Sequence, residues 1–113
     1  MHSAEKMYFV YIVCNPAKTT LYIGVTNNLP ARVIEHWENR GMSETFAGRY
    51  FCYNLLYYET YQFIQIAISR ETELKKWSRI KKEALINEKN PEWVFLNNKL
   101  CGEWPPKKFA RRF

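Results

Sequence analysis

Apolar residues along the chain change period several times, and each change marks an element. The runs YFVYIV, from Tyr8 to Val13, and LYIGV, from Leu21 to Val25, are aromatic and β-branched and predict two strands. Between them CNPAKTT contains an Asn-Pro pair and reads as a turn, so the strands should form a hairpin. Placing Tyr11 opposite Tyr22 sets both rings on one face, because side chains alternate along a strand. TNNLPARVIEHWEN then has the marks of a capped helix: Asn27 or Asn28 can cap it, and Pro30 suits its first turn. Its apolar stripe is Leu29, Val33 and Trp37, while Arg32 and His36, also four apart, share a different stripe.

Further on, GMSETFAGRY is polar and contains glycine, a loop, and CYNLLYYET, from Cys52 to Thr60, is a third, mostly apolar strand. Helical spacing then takes over through FIQIAISRETELKKWSRIKKEALINE, with a break expected near Ser69 or Ser78. Ile64, Ala67, Ile68, Glu71 and Leu74 recur at that spacing, as do Trp77, Ile80, Ala84 and Leu85. Glu71 therefore sits on or beside the inward face, where an uncompensated carboxylate is costly. NPEW stops the helix, and VFLNN is a short extended or helical piece. The tail GEWPPKKFARRF is basic, and its Pro pair forbids regular helix there. The resulting division is a disordered start or tag remnant at 1–6, one domain at 7–97 and a basic tail at 98–113.

Composition fits that outline. A chain of 113 residues, 47% hydrophobic and 17% aromatic, can bury a core as a single domain. Lys and Arg outnumber Asp and Glu by 17 to 11, which favours polyanionic partners and equally describes a solvated basic surface. Cys14, Cys52 and Cys101 have no CxxC spacing and are odd in number, so neither a zinc site nor a disulfide framework is expected. Reduced thiols in a cytoplasmic protein are the simplest reading. No export segment or membrane span is visible in the sequence.

Taken singly, the chemistry-bearing residues have plain explanations. Tyr11 and Tyr22 suit packing on a sheet face, Arg32 and His36 a solvated helix face, and Glu71 an ion pair with Lys75 four residues on. Taken together they follow a specific order: FVY, then YIG with its Tyr eleven residues after Tyr11, then Arg32, His36 and a helical Glu71. This order resembles the GIY-YIG nuclease superfamily, with FVY where GIY stands and YIG intact. FAGRY, LLYYE, AISRETELKKWSRIKKEALI and NPEW extend the likeness to small stand-alone bacterial members, related to the nuclease domain of the excision-repair incision machinery.

The resemblance implies an α+β fold, a central three-stranded antiparallel sheet flanked by helices in α/β/α layers. It implies a metal-dependent endonuclease that hydrolyses phosphodiester bonds, in DNA ahead of RNA, in repair or DNA processing, with Mg²⁺ or Mn²⁺. By position, Tyr11 and Tyr22 would line the water-activating side, Arg32 would hold the scissile phosphate, His36 would assist, and Glu71 would bind the metal. Either Tyr11 activates the water and Tyr22 positions it, or the reverse. One Glu suffices, because Mg²⁺ takes one or two carboxylates and fills its shell with water and phosphate oxygens.

Three departures stand out: Phe9 replaces the first Gly, Val25 replaces the Lys many members carry after YIG, and Val94 stands where several have a late Asn. Arg40, Arg49, Lys107, Lys108, Arg111 and Arg112 are the further candidates for phosphate contacts. A catalytically silent nucleic-acid-binding module on the same fold is the alternative, and a protein-interaction domain is a third class. The sequence leaves oligomeric state open.

Overall fold

The computed structural model describes residues 7–107. The start at 1–6 and, in the tail, Lys108, Arg111 and Arg112 lie outside the described residues. The elements follow in the order β1 (Tyr8–Cys14), β2 (Leu21–Thr26), α1 (Leu29–Glu38), α2 (Phe46–Arg49), β3 (Asn54–Tyr61), α3 (Ile64–Lys75), α4 (Arg79–Lys89) and α5 (Asn97–Cys101). They form the expected α+β architecture, with an antiparallel sheet ordered β2-β1-β3.

As the middle strand, β1 is covered on both faces, and Val10 through Cys14 are fully buried. Alternation divides these residues between two cores. Val10, Ile12 and Cys14 meet Ile23, Leu56, Ala67 and Leu74 of α3, and Ile86 of α4. Tyr11 and Val13 meet Leu29 and Val33 of α1, Ala47 of α2, Cys52 and Leu55. The sheet is therefore the middle of three layers, with α3 and α4 on one side and α1 and α2 on the other.

Asn15 closes the hairpin turn, its Oδ1 accepting from the backbone N–H groups of Thr19 and Thr20 at 2.8 and 2.9 Å. The register that results is two residues away from the expected one: Tyr11 pairs with Gly24, and Tyr22 with Val13. A shift of two preserves the face of every side chain, so both rings still lie on one side, as diagonal neighbours. On the other flank of β1, Ile12 pairs with Tyr57 and Val13 with Leu55. Leu56 is thus the extra residue of a bulge, and it shares the first core with Tyr57.

The long helical stretch divides at Ser78, whose hydroxyl caps α4 by accepting from Lys81 N–H at 3.2 Å, whereas Ser69 lies inside α3. Within α3 Ala67 and Leu74 are buried but Ile68 is 46% exposed, and after the break Ile80 is 79% exposed, contrary to the stripe read from spacing. The expected loop before β3 contains α2, capped by Thr45, whose hydroxyl accepts from Gly48 N–H at 3.0 Å.

After α4, buried Asn90 donates to Leu56 O and Val94 O and accepts from Val94 N–H. Asn97, fully buried at the start of α5, accepts from Leu55 N–H and donates to Tyr53 O, so it completes the outer edge of β3. The boundary set between 97 and 98 falls inside α5, and Leu100, Cys101 and Trp104 pack on the second core. Among the described residues, no helix is long and apolar enough to cross a membrane.

Candidate active site

The site grows from the second core. The Asn28 side chain caps α1 by accepting from Ala31 N–H at 3.2 Å, with Pro30 in the first turn. Leu29 and Val33 anchor the helix on the sheet and bring the Arg32–His36 stripe over Tyr11. Arg32 Nε donates to the Tyr11 hydroxyl oxygen at 3.2 Å. A guanidinium has no acceptor, so the hydroxyl proton is left for His36 Nε2, which lies 2.8 Å away. That bond requires an unprotonated Nε2. Burial, helped by the Arg32 charge, pushes the His36 imidazole down from 6.5 to about 4, so the ring is neutral at pH 7.

Burial likewise pushes the Tyr11 phenol up to about 12, against the pull of Arg32, and the neighbouring Tyr22 and Glu71 add to the rise. The hydrogen bond to Tyr11 raises Arg32 well above its ordinary range, so it stays a cation. Its Nη1 pairs with Glu35 at 2.6 Å on the solvent side. Sequence reasoning misses that partner, although its position three residues after Arg32 carries the signal.

Tyr22 is half-buried, edge-on to His36 at 5.6 Å between ring centres. Its hydroxyl makes no side-chain hydrogen bond among the described residues. Glu71 comes from α3 in the other layer, which packs along the edge strand β2. Lys75 Nζ lies 3.3 Å from Glu71 Oε2 and 6.0 Å from the centre of the Tyr22 ring. The Glu71 charge is also felt at the Tyr11 phenol. Gly24 faces Tyr11 across the ladder, and a Cβ there would lie 2.6 Å from Tyr11 Cζ. The absent side chain of YIG is what admits the first phenol.

The depressed His36 value makes a prediction for stability. Unfolded, the imidazole titrates near 6.5; folded, near 4. Between those values only the unfolded chain binds the proton, so stability falls as pH drops from about 6.5 to about 4, by roughly 3 kcal/mol in all. Denaturant unfolding at stepped pH should show this loss, and the same series on His36→Asn should lack it.

The other candidates lie outside this cluster. Arg40 stacks 3.6 Å over the Trp37 ring and donates to Trp37 O. Arg49 donates to Ser43 O, and Lys107 pairs weakly with Glu103 at 3.9 Å. Val25, Thr26, Asn28, Ala31, Arg32 and Glu35 line an open groove of about 380 Å³, so the position that lacks a Lys borders the guanidinium. Among the described residues no group of three or more His, Cys, Asp or Glu could hold a metal ion. A cation here would rest on Glu71 alone, with water and phosphate oxygens completing its shell, a donor set that suits Mg²⁺ or Mn²⁺.

Against this geometry, the GIY-YIG catalytic domain profile matches residues 7–84. The chain belongs to the GIY-YIG family. Membership of this family places it in a nuclease superfamily. A UPF0213 protein of Staphylococcus epidermidis is 39% identical over 82 residues, 72% of this chain and 95% of that protein. A UPF0213 protein of Staphylococcus aureus is 37% identical over 83 residues, 73% and 96% of the two chains. The solution structure of UPF0213 protein BH0048 from Bacillus halodurans superposes with a TM-score of 0.50 at 27% identity, covering 82% of this chain and 93% of that one. This GIY-YIG chain therefore resembles small stand-alone bacterial proteins with the same sheet and helices.

Proposed function

We propose that the protein is a divalent-metal-dependent endonuclease that hydrolyses phosphodiester bonds in nucleic acid, DNA ahead of RNA, in repair or DNA processing. The observation that carries this reading is the chain Arg32–Tyr11–His36, with Tyr22 and Glu71 beside it. Arg32 keeps its outer nitrogens toward solvent, held among the described residues by the exposed Glu35, which a phosphate can displace. Its planar fork then grips two phosphoryl oxygens while Nε stays on Tyr11. Tyr11, buried and twice bonded, positions Arg32 and His36.

Tyr22 carries the open hydroxyl, and this favours it over Tyr11 as the group that, in its phenolate form, takes a proton from the attacking water and becomes the neutral phenol. Glu71 would hold the cation, which when bound supplies Lewis-acid charge to the phosphoryl oxygens. The water oxygen bonds to phosphorus as the bond to the leaving sugar oxygen breaks, and that oxygen takes a proton from solvent.

Plasmid nicking with Mg²⁺ or Mn²⁺, against chelator, tests the reading. Wild type should cut only with the ion. Arg32→Lys and Glu71→Gln should each lose about 10²–10³-fold in rate. Arg32→Lys should lose it despite the kept charge, because Lys lacks both the planar fork and the Nε that reaches Tyr11. Equal nicking by all three proteins would refute the site. Binding with steep salt dependence and no cutting would establish the silent module instead.

A further inference from the structure

A file of aromatic rings runs out of the site, and the proposed chemistry does not use it. Phe46 stacks on Tyr22 with centroids 6.1 Å apart and planes 25° apart, and Tyr50 follows 4.7 Å from Phe46. Phe46 is 49% exposed, Tyr50 44% and Phe51 46%. Isolated exposed aromatics need no explanation, but Phe46 and Tyr50, continuous with Tyr22 and His36, form a patch.

The turn that carries them is stiff. Gly48 is wedged so tightly that a Cβ would lie 2.6 Å from Met42 O and 2.7 Å from Asn39 O. Gly41 N–H donates to Gly48 O at 2.8 Å, Cys52 N–H donates to Ala47 O at 2.9 Å, and Thr45 caps the helix. The fold thus fixes α2 through buried Ala47 and Gly48 while leaving its rings in solvent. The nearby charges are net positive and suit a polyanion: in the stretch 40–51 Arg40 and Arg49 outnumber the acid Glu44, and Lys75, paired with Glu71, stands over Tyr22.

Resting on the nuclease reading above, we infer that Phe46 and Tyr50 are a base-stacking subsite for an unpaired nucleotide beside the scissile phosphate. The substrate is then single-stranded or locally unpaired nucleic acid. Two ring-to-ring steps, of 5.6 and 6.1 Å, separate His36 from Phe46, which keeps the stacked base within reach of the strand held by Arg32. A duplex hides its base faces in its own stack, whereas every unpaired base offers one to an exposed ring.

The test uses the full chain in chelator, with a labelled single-stranded DNA oligonucleotide carrying 2-aminopurine and a duplex of the same sequence. Wild type should bind the single strand more tightly and quench the reporter. Phe46→Ala and Tyr50→Ala should each weaken single-strand binding about tenfold, abolish the quench and leave duplex binding unchanged. Phe46→Trp should retain both signals. Single-strand affinity unchanged in the Ala variants, or lost equally for both probes, overturns the subsite.

Nicking with Mg²⁺ separates the two readings. If wild type cuts nothing while Phe46→Ala still loses single-strand affinity, the nuclease reading falls and the subsite stands. If wild type cuts both forms and Phe46→Ala alters neither binding nor cutting, the subsite falls alone.

Discussion

Tyr22→Phe should reduce strand cleavage by about 10²–10⁴-fold and leave the unfolding curve where it was. The ring stays against His36 and Phe46, so packing is kept, and the missing hydroxyl leaves no side-chain partner stranded. Tyr11→Phe should behave differently. It removes the proton that His36 Nε2 accepts and the oxygen to which Arg32 Nε donates. Two groups packed against the core then lose a partner, at about 1–3 kcal/mol, so stability and cleavage should fall together. Nicking rates paired with denaturant unfolding separate the two phenols. Wild-type cleavage by Tyr22→Phe would return the water-activating role to Tyr11.

Gly24→Ala should be the most damaging small change in the hairpin. The new methyl would sit 2.6 Å from Tyr11 Cζ, and Tyr11 is fully buried beneath Arg32 and His36. Either the ring tilts, breaking both of its hydrogen bonds, or the β1–β2 ladder opens. Overpacking of this kind costs about 1–3 kcal/mol, and the lost hydrogen bonds add to it. Denaturant unfolding should show the destabilisation, and nicking should be lost in the fraction that remains folded. A variant with wild-type stability would mean that the ring has room not evident in the packing.

Much of this fold is written locally. The strands follow from aromatic and β-branched runs, and α1 from Asn28, Pro30 and the spacing of Leu29 and Val33. Arg32 and His36 share a stripe because of their spacing alone. What was hidden depends on distant geometry. Register depends on how Asn15 closes the turn, which composition does not specify. The helical phase after Ser78 depends on a cap that restarts the count. The short α2 left a trace in Thr45 ahead of Phe46, but so polar and glycine-containing a stretch reads as a loop. The burial of His36 required knowing that α1 lies over Tyr11. That the Glu71 charge is felt at Tyr11 required knowing that β2 is an edge.

The split between layers has a mechanical consequence. Under the proposed function, phosphate grip would belong to the layer of α1, and the carboxylate would come from α3 on the far side of the sheet. Peeling α3 away would withdraw the carboxylate and leave Arg32 in place. On that reading, a half-melted molecule would cling to a strand it can no longer sever, and the architecture would act as a safety catch.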